Sequence, residues 1–167
     1  IRMMRPAFKG TVMIVEGDSD ARVYGKFIDE DDCRILPSFG KSNGMLALGI
    51  LDRDGAEGVV AILDSDFSRL DAEREPDLPN MFLTDTHDLE TMILSSRALD
   101  IVIVEFGDKR KIGRLKGNVR DMLLKTALPL GYLRWVSSSK QENLSLRFRE
   151  GAAASRGQAA RLPLVRS

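Results

Sequence analysis

The amino-acid sequence predicts an α/β protein whose four-stranded, mainly parallel sheet is flanked by helices and followed by a C-terminal helical extension. Short runs of apolar and β-branched residues alternate along the chain with segments whose apolar residues recur at helical spacing. The run Val59–Leu63 is apolar at every position, as is typical of a strand buried on both faces. Because strands that alternate with helices form parallel sheets with crossovers on their faces, these observations predict the fold class.

The first two strands are predicted ahead of residue 40. Thr11–Val15 is a β-branched, apolar run, and an acidic turn at residues 16–20 separates it from a helix. Residues 34–37 are predicted to form the second strand. The helix between these strands is expected to extend through apolar residues at helical spacing, namely Ala21, Tyr24, Phe27 and Ile28.

The middle of the chain predicts a second helix and two further strands. Residues 40–44 lead into a helix that carries Leu46, Ile50 and Leu51. Val59–Leu63 predicts the third strand, and residues 81–84 predict the fourth. The polar, proline-bearing segment between these two strands, residues 68–80, is predicted to be a loop.

Helices are predicted after the fourth strand. An acidic turn at residues 85–90 leads into a helix with an apolar face. The valines and isoleucines of residues 98–106 suit a strand, but the flanking residues favour a helix, which is the prediction. Residues 118–128 predict an amphipathic helix that ends at Pro129 and Gly131.

The chain is expected to comprise a catalytic core at residues 10–95, a helical extension at residues 96–150 and a tail at residues 151–167. The tail is rich in Ala, Ser, Gly and Arg and has no periodic apolar face. Such a composition predicts a disordered or truncated segment.

Composition limits the chemistry that the chain can perform. The 167 residues include one cysteine, Cys33, and one histidine, His87. A disulfide framework and a cysteine/histidine zinc site within one chain are therefore excluded, and a metal would be held mainly by carboxylates. No apolar run approaches the roughly 20 residues that span a bilayer, and no signal-peptide pattern is present, so a cytoplasmic location is expected.

The charged residues divide the chain into an acidic and a basic part. Residues 1–108 contain 11 basic and 22 acidic residues, whereas residues 109–167 contain 14 basic and 3 acidic residues. The formal net charge of zero is therefore the sum of −11 for residues 1–108 and +11 for residues 109–167. This division predicts a carboxylate-rich site beside a surface that binds polyanions, the alternative being ordinary solvated charge.

Acidic residues follow three of the predicted strands. They are Glu16 after the first strand, Asp64 and Asp66 after the third, and Asp85, Asp88 and Glu90 after the fourth. Ligands of open α/β sheets bind at the carboxyl ends of the strands. If the chain stays extended after the third strand, both of its aspartates point to the same side. Oxygen ligands favour Mg²⁺ or Mn²⁺, whereas any one of these acids taken alone is more typical of a helix cap or a solvated turn.

Two acidic motifs are Val15-Glu16-Gly17, with Asp20 behind it, and Leu63-Asp64-Ser65-Asp66. Together they resemble the Toprim domain of topoisomerases, primases and several nucleases. Lys41 in Gly40-Lys41-Ser42-Asn43 and the segment at residues 84–90 resemble the Toprim-like branch found in bacterial anti-phage systems with an ABC-type ATPase partner. That branch is related to the overcoming-lysogenization-defect nucleases. The resemblance is specific over residues 11–94 and looser up to residue 148.

The resemblance implies a nuclease that depends on Mg²⁺ or Mn²⁺ and cleaves RNA or DNA, for example tRNA. It also implies an ATPase partner and a homodimer. Glu16, Asp64 and Asp66 are the implied metal ligands. Asp20, Asp88 and Glu90 are candidates for a second ion or its outer shell. Topoisomerase and primase activities would need additional large domains.

Two further side chains are candidates for catalysis. Lys41, at the start of a predicted helix, is placed to offset phosphate charge, the alternative being an exposed loop lysine. His87 lies in the acidic turn after the fourth strand. It either moves a proton or holds Asp88 or Asp85 in position.

A basic segment follows the predicted core and is the candidate nucleic-acid surface. Five cations in eight positions suit contacts with backbone phosphates, and the alternative is a solvated helix face. These residues are Lys109, Arg110, Lys111, Arg114 and Lys116.

Two other functions remain open from the sequence. A receiver-like signalling module would accept a phosphoryl group on Asp64, but it needs a lysine after a fifth strand, and Val104-Glu105 supplies none. An inactive Toprim scaffold would serve only to dock the ATPase. A P-loop nucleotide site is excluded because Ile35 stands where the first glycine of that motif belongs.

Overall fold

The computed structural model describes residue 1, residues 7–71 and residues 76–139. Four parallel strands form one sheet in the order β2-β1-β3-β4. This confirms the predicted α/β class, and every strand pair in the sheet is parallel. The strands are β1 (Thr11–Val15), β2 (Cys33–Pro37), β3 (Val59–Leu63) and β4 (Met81–Leu83).

Helices connect the strands and follow the last one. Two lie between the first three strands, a short helix precedes the fourth strand, and four follow it. They are α1 (Asp18–Tyr24), α2 (Lys41–Arg53), α3 (Ser68–Asp71), α4 (Leu89–Ser95), α5 (Arg97–Phe106), α6 (Lys109–Ile112) and α7 (Val119–Ser139).

The core lies between the central strands and α2. Ile14 of β1 and Ala61 of β3 are paired neighbours in the sheet, and Leu48 of α2 packs in the same buried cluster. Along β3 full burial alternates with partial burial, so one face of this strand is completely covered and the other only in part. The prediction of complete burial on both faces is therefore too strong.

Helix α1 ends at Tyr24, one turn earlier than its apolar pattern predicts. Gly25 follows it, and the next two residues form tighter turns in which Phe27 N–H donates to the Tyr24 carbonyl. Glycine weakens helix propagation. Phe27 is consequently 81% exposed instead of lying on a buried helix face.

Residues 97–106 form a helix, as predicted. Ser96 caps α5, because its hydroxyl oxygen accepts a hydrogen bond from the backbone N–H of Ala98 at 3.1 Å. This local cap prevails over the strand preference of the β-branched residues that follow. A short helix, α3, also forms within the segment predicted to be a loop.

The predicted end of the last helix at Pro129 is wrong. Helix α7 continues through Pro129 and Gly131 to Ser139. A proline inside a helix removes one backbone donor but leaves the hydrogen bonds of the other residues in place, so a long helix can continue past it.

The chain forms two compact units, Ile1–Ala127 and Leu128–Ser167. The first contains the sheet and the predicted catalytic core. In the second, the described residues belong to α7, where the rings of Tyr132 and Trp135 lie 6.1 Å apart. The predicted tail at residues 151–167 and the last part of the predicted extension lie outside the described residues. Within the part of the chain that is described, no helix is long and apolar enough to cross a membrane.

Candidate metal centre

Two carboxylates from distant parts of the chain meet at the carboxyl edge of the sheet. Glu16 directly follows β1 and Asp64 directly follows β3, and these strands are parallel neighbours. The backbone N–H of Asp64 donates a hydrogen bond to Oε1 of Glu16 at 2.7 Å. The structure therefore brings together the first two predicted site residues, as expected for strands whose carboxyl ends share one edge.

Asp64 lies in an environment that disfavours its negative charge. Burial, the largest cause, and the negative charges of four neighbours together raise the pKa of this carboxyl group from 3.8 to about 7. The neighbours, in order of importance, are Glu16, Asp20, Asp88 and Asp66. The site thus holds an excess of negative charge around one half-buried aspartate. A cation at this position would favour ionisation of Asp64.

The pKa of Glu16 is also raised, and burial is the largest cause. The hydrogen bond from the Asp64 backbone opposes this shift, as does the positive charge of Lys41, whereas the charges of Asp66 and Asp20 add to it. Burial therefore disfavours the charged form of both Glu16 and Asp64, and the positive charge of Lys41 offsets this effect in part at Glu16.

Asp66 does not follow the extended geometry that would place it beside Asp64. Its φ of 48° lies in the left-handed region, where aspartate is tolerated better than most side chains. Its backbone N–H donates to the carbonyl of His87 at 2.8 Å, and Nζ of Lys41 lies 3.3 Å from its Oδ2. The Asp66 carboxylate consequently pairs with a cation that the chain itself supplies.

Two other predicted carboxylates serve as helix caps. Asp20 Oδ2 accepts the backbone N–H of Gly17 at 2.8 Å, and Asp88 Oδ1 accepts that of Thr91 at 2.7 Å. The capping interpretation therefore holds for both. Both are nevertheless close enough to Asp64 to raise its pKa, so the structure brings them to the site as well.

His87 lies at the rim of this acidic cluster. Its Nε2 is 3.9 Å from Asp88 Oδ2, and its ring centroid is 4.4 Å from that of Phe67. Its Nδ1 is buried and has no hydrogen-bond partner among the described residues. The distance to Asp88 is longer than a hydrogen bond, so both predicted roles, moving a proton and holding a carboxylate in position, stay predictions.

Glu90 and Asp85 stand apart from these groups. Both are exposed, Glu90 in the first turn of α4 and Asp85 in the turn before it. Neither is among the charges that raise the pKa of Asp64. The role of Glu90 near a metal stays a prediction.

The predicted basic segment forms a short helix and the turn after it. Three of its cations lie in α6, which Asp108 caps by accepting two backbone N–H groups at 2.9 and 3.2 Å. All five predicted cations are exposed, as contact with a polyanion requires. They are Lys109, Arg110, Lys111, Arg114 and Lys116.

Sequence reasoning missed three residues that support the acidic turns. Thr84 and Ser65 are buried and hydrogen-bonded to each other, and Arg69 donates to the carbonyls of Asp85 at 2.6 Å and Thr84 at 2.8 Å. No pattern in the sequence marks Arg69, which lies in a polar segment. The position of Ser65 between Asp64 and Asp66 could have indicated that its side chain supports this turn.

Tyr24 is a further neighbour of the site. Burial raises the pKa of its hydroxyl group, and the charges of Asp20 and Asp64 add to this shift. Tyr24 follows Asp20 by one helical turn, so helical spacing could have placed it on the same side of α1.

The donors are of the type that a hard divalent cation prefers, but they are not gathered around one point. Within the described ranges, no three His, Cys, Asp or Glu side chains are arranged to hold one ion. Glu16 and Asp64 adjoin each other, whereas Asp66 is paired with Lys41. The donor types are those that Mg²⁺ or Mn²⁺ prefers, but the Asp66 side chain would have to leave Lys41 before it could join Glu16 and Asp64 around one ion.

Comparisons with protein-family models, with curated proteins and with solved structures found no match. The fold and the site define an α/β protein with a carboxylate cluster at the carboxyl edge of a parallel sheet. The resemblance to Toprim-like nucleases stays a prediction from the sequence.

Proposed function

We propose that this chain is a Mg²⁺- or Mn²⁺-dependent nuclease that hydrolyses phosphodiester bonds in RNA or DNA. The observation that carries the proposal is the pairing of Glu16 with Asp64, which lie 48 positions apart and meet through a 2.7 Å hydrogen bond at the edge of the sheet. The negative charge of Glu16 helps to raise the pKa of Asp64, and a divalent cation bound between them would remove this repulsion.

Glu16 and Asp64 would hold the ion, and Asp66 would join them after leaving Lys41. Asp20 and Asp88 would bind a second ion or act through water, since each already caps a helix. A bound divalent ion supplies Lewis acidity to a phosphodiester and lowers the pKa of a water molecule. The carboxylates of the chain fix where that acidity acts.

Lys41 and His87 would act on the substrate phosphate or on its surroundings. The Lys41 ammonium lies beside Asp66, so it can offset the negative charge of a phosphate at the same edge of the sheet. His87 Nε2 lies 3.9 Å from Asp88 Oδ2, so His87 would either move a proton at this edge of the sheet or hold that carboxylate in position.

The exposed cations of the basic segment, Lys109 to Lys116, would bind backbone phosphates. Contacts of this kind orient a nucleic acid without reading its sequence. The acidic cluster alone would repel such a substrate, so a separate basic surface is needed for binding.

We further propose that the chain acts in defence against phage, in the cytoplasm, together with an ABC-type ATPase and as a homodimer. The sequence resemblance alone supports this part of the proposal. The receiver-like alternative has less support, because residues 97–106 form an α-helix where that function needs a fifth strand.

A cleavage assay tests the proposal. The full chain is incubated with tRNA, single-stranded RNA, single-stranded DNA and duplex DNA across a series of Mg²⁺ and Mn²⁺ concentrations, with and without a co-expressed ATPase. Glu16→Gln and Asp64→Asn are expected to abolish metal-dependent cleavage. Glu30→Gln, which changes an exposed acid outside the cluster, is the matched control and should retain it.

Equal cleavage by the parent chain and both site variants would overturn the assignment. Phosphorylation of Asp64 by acetyl phosphate, without cleavage of any substrate, would favour the receiver-like function instead.

A further inference from the structure

The turns that follow β3 and β4 are joined by one buried hydroxyl group. Thr84 Oγ1 accepts the backbone N–H of Ser65 at 3.0 Å and donates to the carbonyl of Thr86 at 2.7 Å. Ser65 is 1% exposed and Thr84 is 4% exposed. The bond from the Ser65 N–H is buried, so solvent does not readily replace it, whereas the bond to the Thr86 carbonyl is partly buried.

Further hydrogen bonds run between the same two turns. The Ser65 hydroxyl group donates to the carbonyl of Thr86, and the backbone N–H of Asp66 donates to the carbonyl of His87 at 2.8 Å. The guanidinium group of Arg69 holds the second turn through two consecutive carbonyls. Thr84 therefore sits at the centre of a connected network.

This network links the two halves of the acidic cluster. The turn after β3 carries Asp64 and Asp66, and the turn after β4 carries His87 and Asp88. The distance between these pairs depends on the bonds between the turns. The sheet ladder itself ends just before them, with the bond from Thr84 N–H to the Leu63 carbonyl at 3.0 Å.

We propose that Thr84 is a positioning residue for the proposed metal centre, whose hydroxyl group fixes the carboxylates of the β3 turn relative to those of the β4 turn. This inference rests on the proposed function. A hydroxyl group both accepts and donates, which a methyl group of the same size does not. Replacing Thr84 by valine would leave the Ser65 N–H, next to Asp64, buried without its partner.

The test uses Thr84→Val and Thr84→Ser in the full chain. Binding of Mn²⁺ is followed by electron paramagnetic resonance without nucleic acid, and cleavage is measured against both Mn²⁺ and substrate concentration. Thr84→Val is expected to raise the half-saturating Mn²⁺ concentration by about 10- to 100-fold, because the loss of a group that orients metal ligands weakens metal binding by about this factor. The KM for nucleic acid should stay within about twofold, since the basic segment is untouched.

Thr84→Ser keeps both hydrogen bonds and should restore Mn²⁺ binding to within about threefold of the parent. Thr126→Val is the matched control, because the Thr126 hydroxyl group is exposed and donates to the carbonyl of Met122 in its own helix, α7. If Thr84→Val fails to fold, Ser65→Ala replaces it. That variant removes one of the two hydroxyl donors to the Thr86 carbonyl and should raise the half-saturating Mn²⁺ concentration by a smaller factor.

A folded Thr84→Val variant with the parent's Mn²⁺ half-saturation would overturn the positioning role while leaving the proposed function intact. Equal losses in Thr84→Val and Thr84→Ser would also overturn it. A parent chain that neither binds Mn²⁺ nor cleaves nucleic acid would instead refute the proposed function, and the positioning role with it.

Discussion

The ammonium group of Lys41 lies 3.3 Å from Oδ2 of Asp66, so one carboxylate of the acidic cluster is paired with a cation from the first turn of α2. The Lys41 side chain is only 15% exposed, whereas that of Asp66 is 47% exposed. The lysine is thus held inside the site while its partner remains accessible. This pairing reduces the net charge that a metal ion would meet.

Lys41→Met should therefore strengthen metal binding and weaken cleavage. Removing one positive charge beside the carboxylates is expected to tighten Mn²⁺ binding by about three- to tenfold. Cleavage should fall by about 100-fold or more, because the phosphate loses a fixed positive charge. Titration of Mn²⁺ in parallel with the cleavage assay measures both effects, and a variant with full activity would contradict a role for Lys41 on the substrate phosphate.

The raised pKa of Asp64 makes stability depend on pH. The folded carboxyl group titrates at about 7 and the unfolded group near 3.8, so the folded state binds more protons between these values. The contribution of the Asp64 carboxyl group to the free energy of unfolding is therefore fully present below pH 4 and is lost as the pH rises to about 7. The whole shift corresponds to about 4 kcal/mol, which solvent around this half-exposed group reduces to about 2 kcal/mol.

Asp64→Asn should remove this pH dependence. The variant is expected to be about 1–2 kcal/mol more stable than the parent at pH 8, and nearly equal to it at pH 4, where the parent's carboxyl group is neutral. Denaturant unfolding at the two pH values measures the difference. A variant less stable than the parent at pH 8 would mean that the Asp64 charge is already compensated.

Divalent cations should stabilise the parent more than the site variants. A ligand that binds only the folded state adds about 2.7 kcal/mol at a concentration 100 times its Kd. At pH 8, Mn²⁺ is expected to raise the Tm of the parent and of Glu30→Gln clearly more than that of Asp64→Asn. Equal shifts in all three proteins would place the bound ion elsewhere.

The basic segment should govern the salt dependence of nucleic-acid binding. Changing Lys109, Arg110 and Lys111 together to Ala is expected to weaken binding and to reduce the salt slope by up to about 2.7, or about 0.9 for each lost phosphate contact on duplex DNA. Fluorescence anisotropy in EDTA measures binding without cleavage. A triple variant of the exposed cations Lys9, Lys26 and Arg53 is the control, and a slope equal to the parent's in the Lys109 variant would contradict the assignment.

The sequence predicts the sheet well because each strand has a strong local signal. The bounds of Thr11–Val15 and Val59–Leu63 agree with the structure at both ends, since apolar and β-branched runs there are bordered by charged or glycine residues. Helix ends are harder to predict. Gly25 ends α1 while its apolar pattern continues, and Pro129 fails to end α7, because both outcomes depend on competing backbone hydrogen bonds.

In the site, too, features that depend on the strands could be predicted, whereas features that depend on contacts between turns could not. Glu16 and Asp64 lie together because they follow adjacent parallel strands. Their proximity could therefore be predicted from the strand pattern in the sequence. The left-handed backbone of Asp66 depends on its bond to the His87 carbonyl, and its pairing with Lys41 depends on where α2 begins. These are contacts between distant turns, and residue spacing does not encode them.

The most direct test of the metal centre is a Mn²⁺ titration of the full chain at pH 8, followed by electron paramagnetic resonance, for the parent and for Asp64→Asn. We expect saturable binding in the parent and a loss of at least about tenfold in affinity in the variant, because Asp64 adjoins Glu16 at the centre of the cluster. Identical titration curves, or no saturable binding in the parent, would contradict the account.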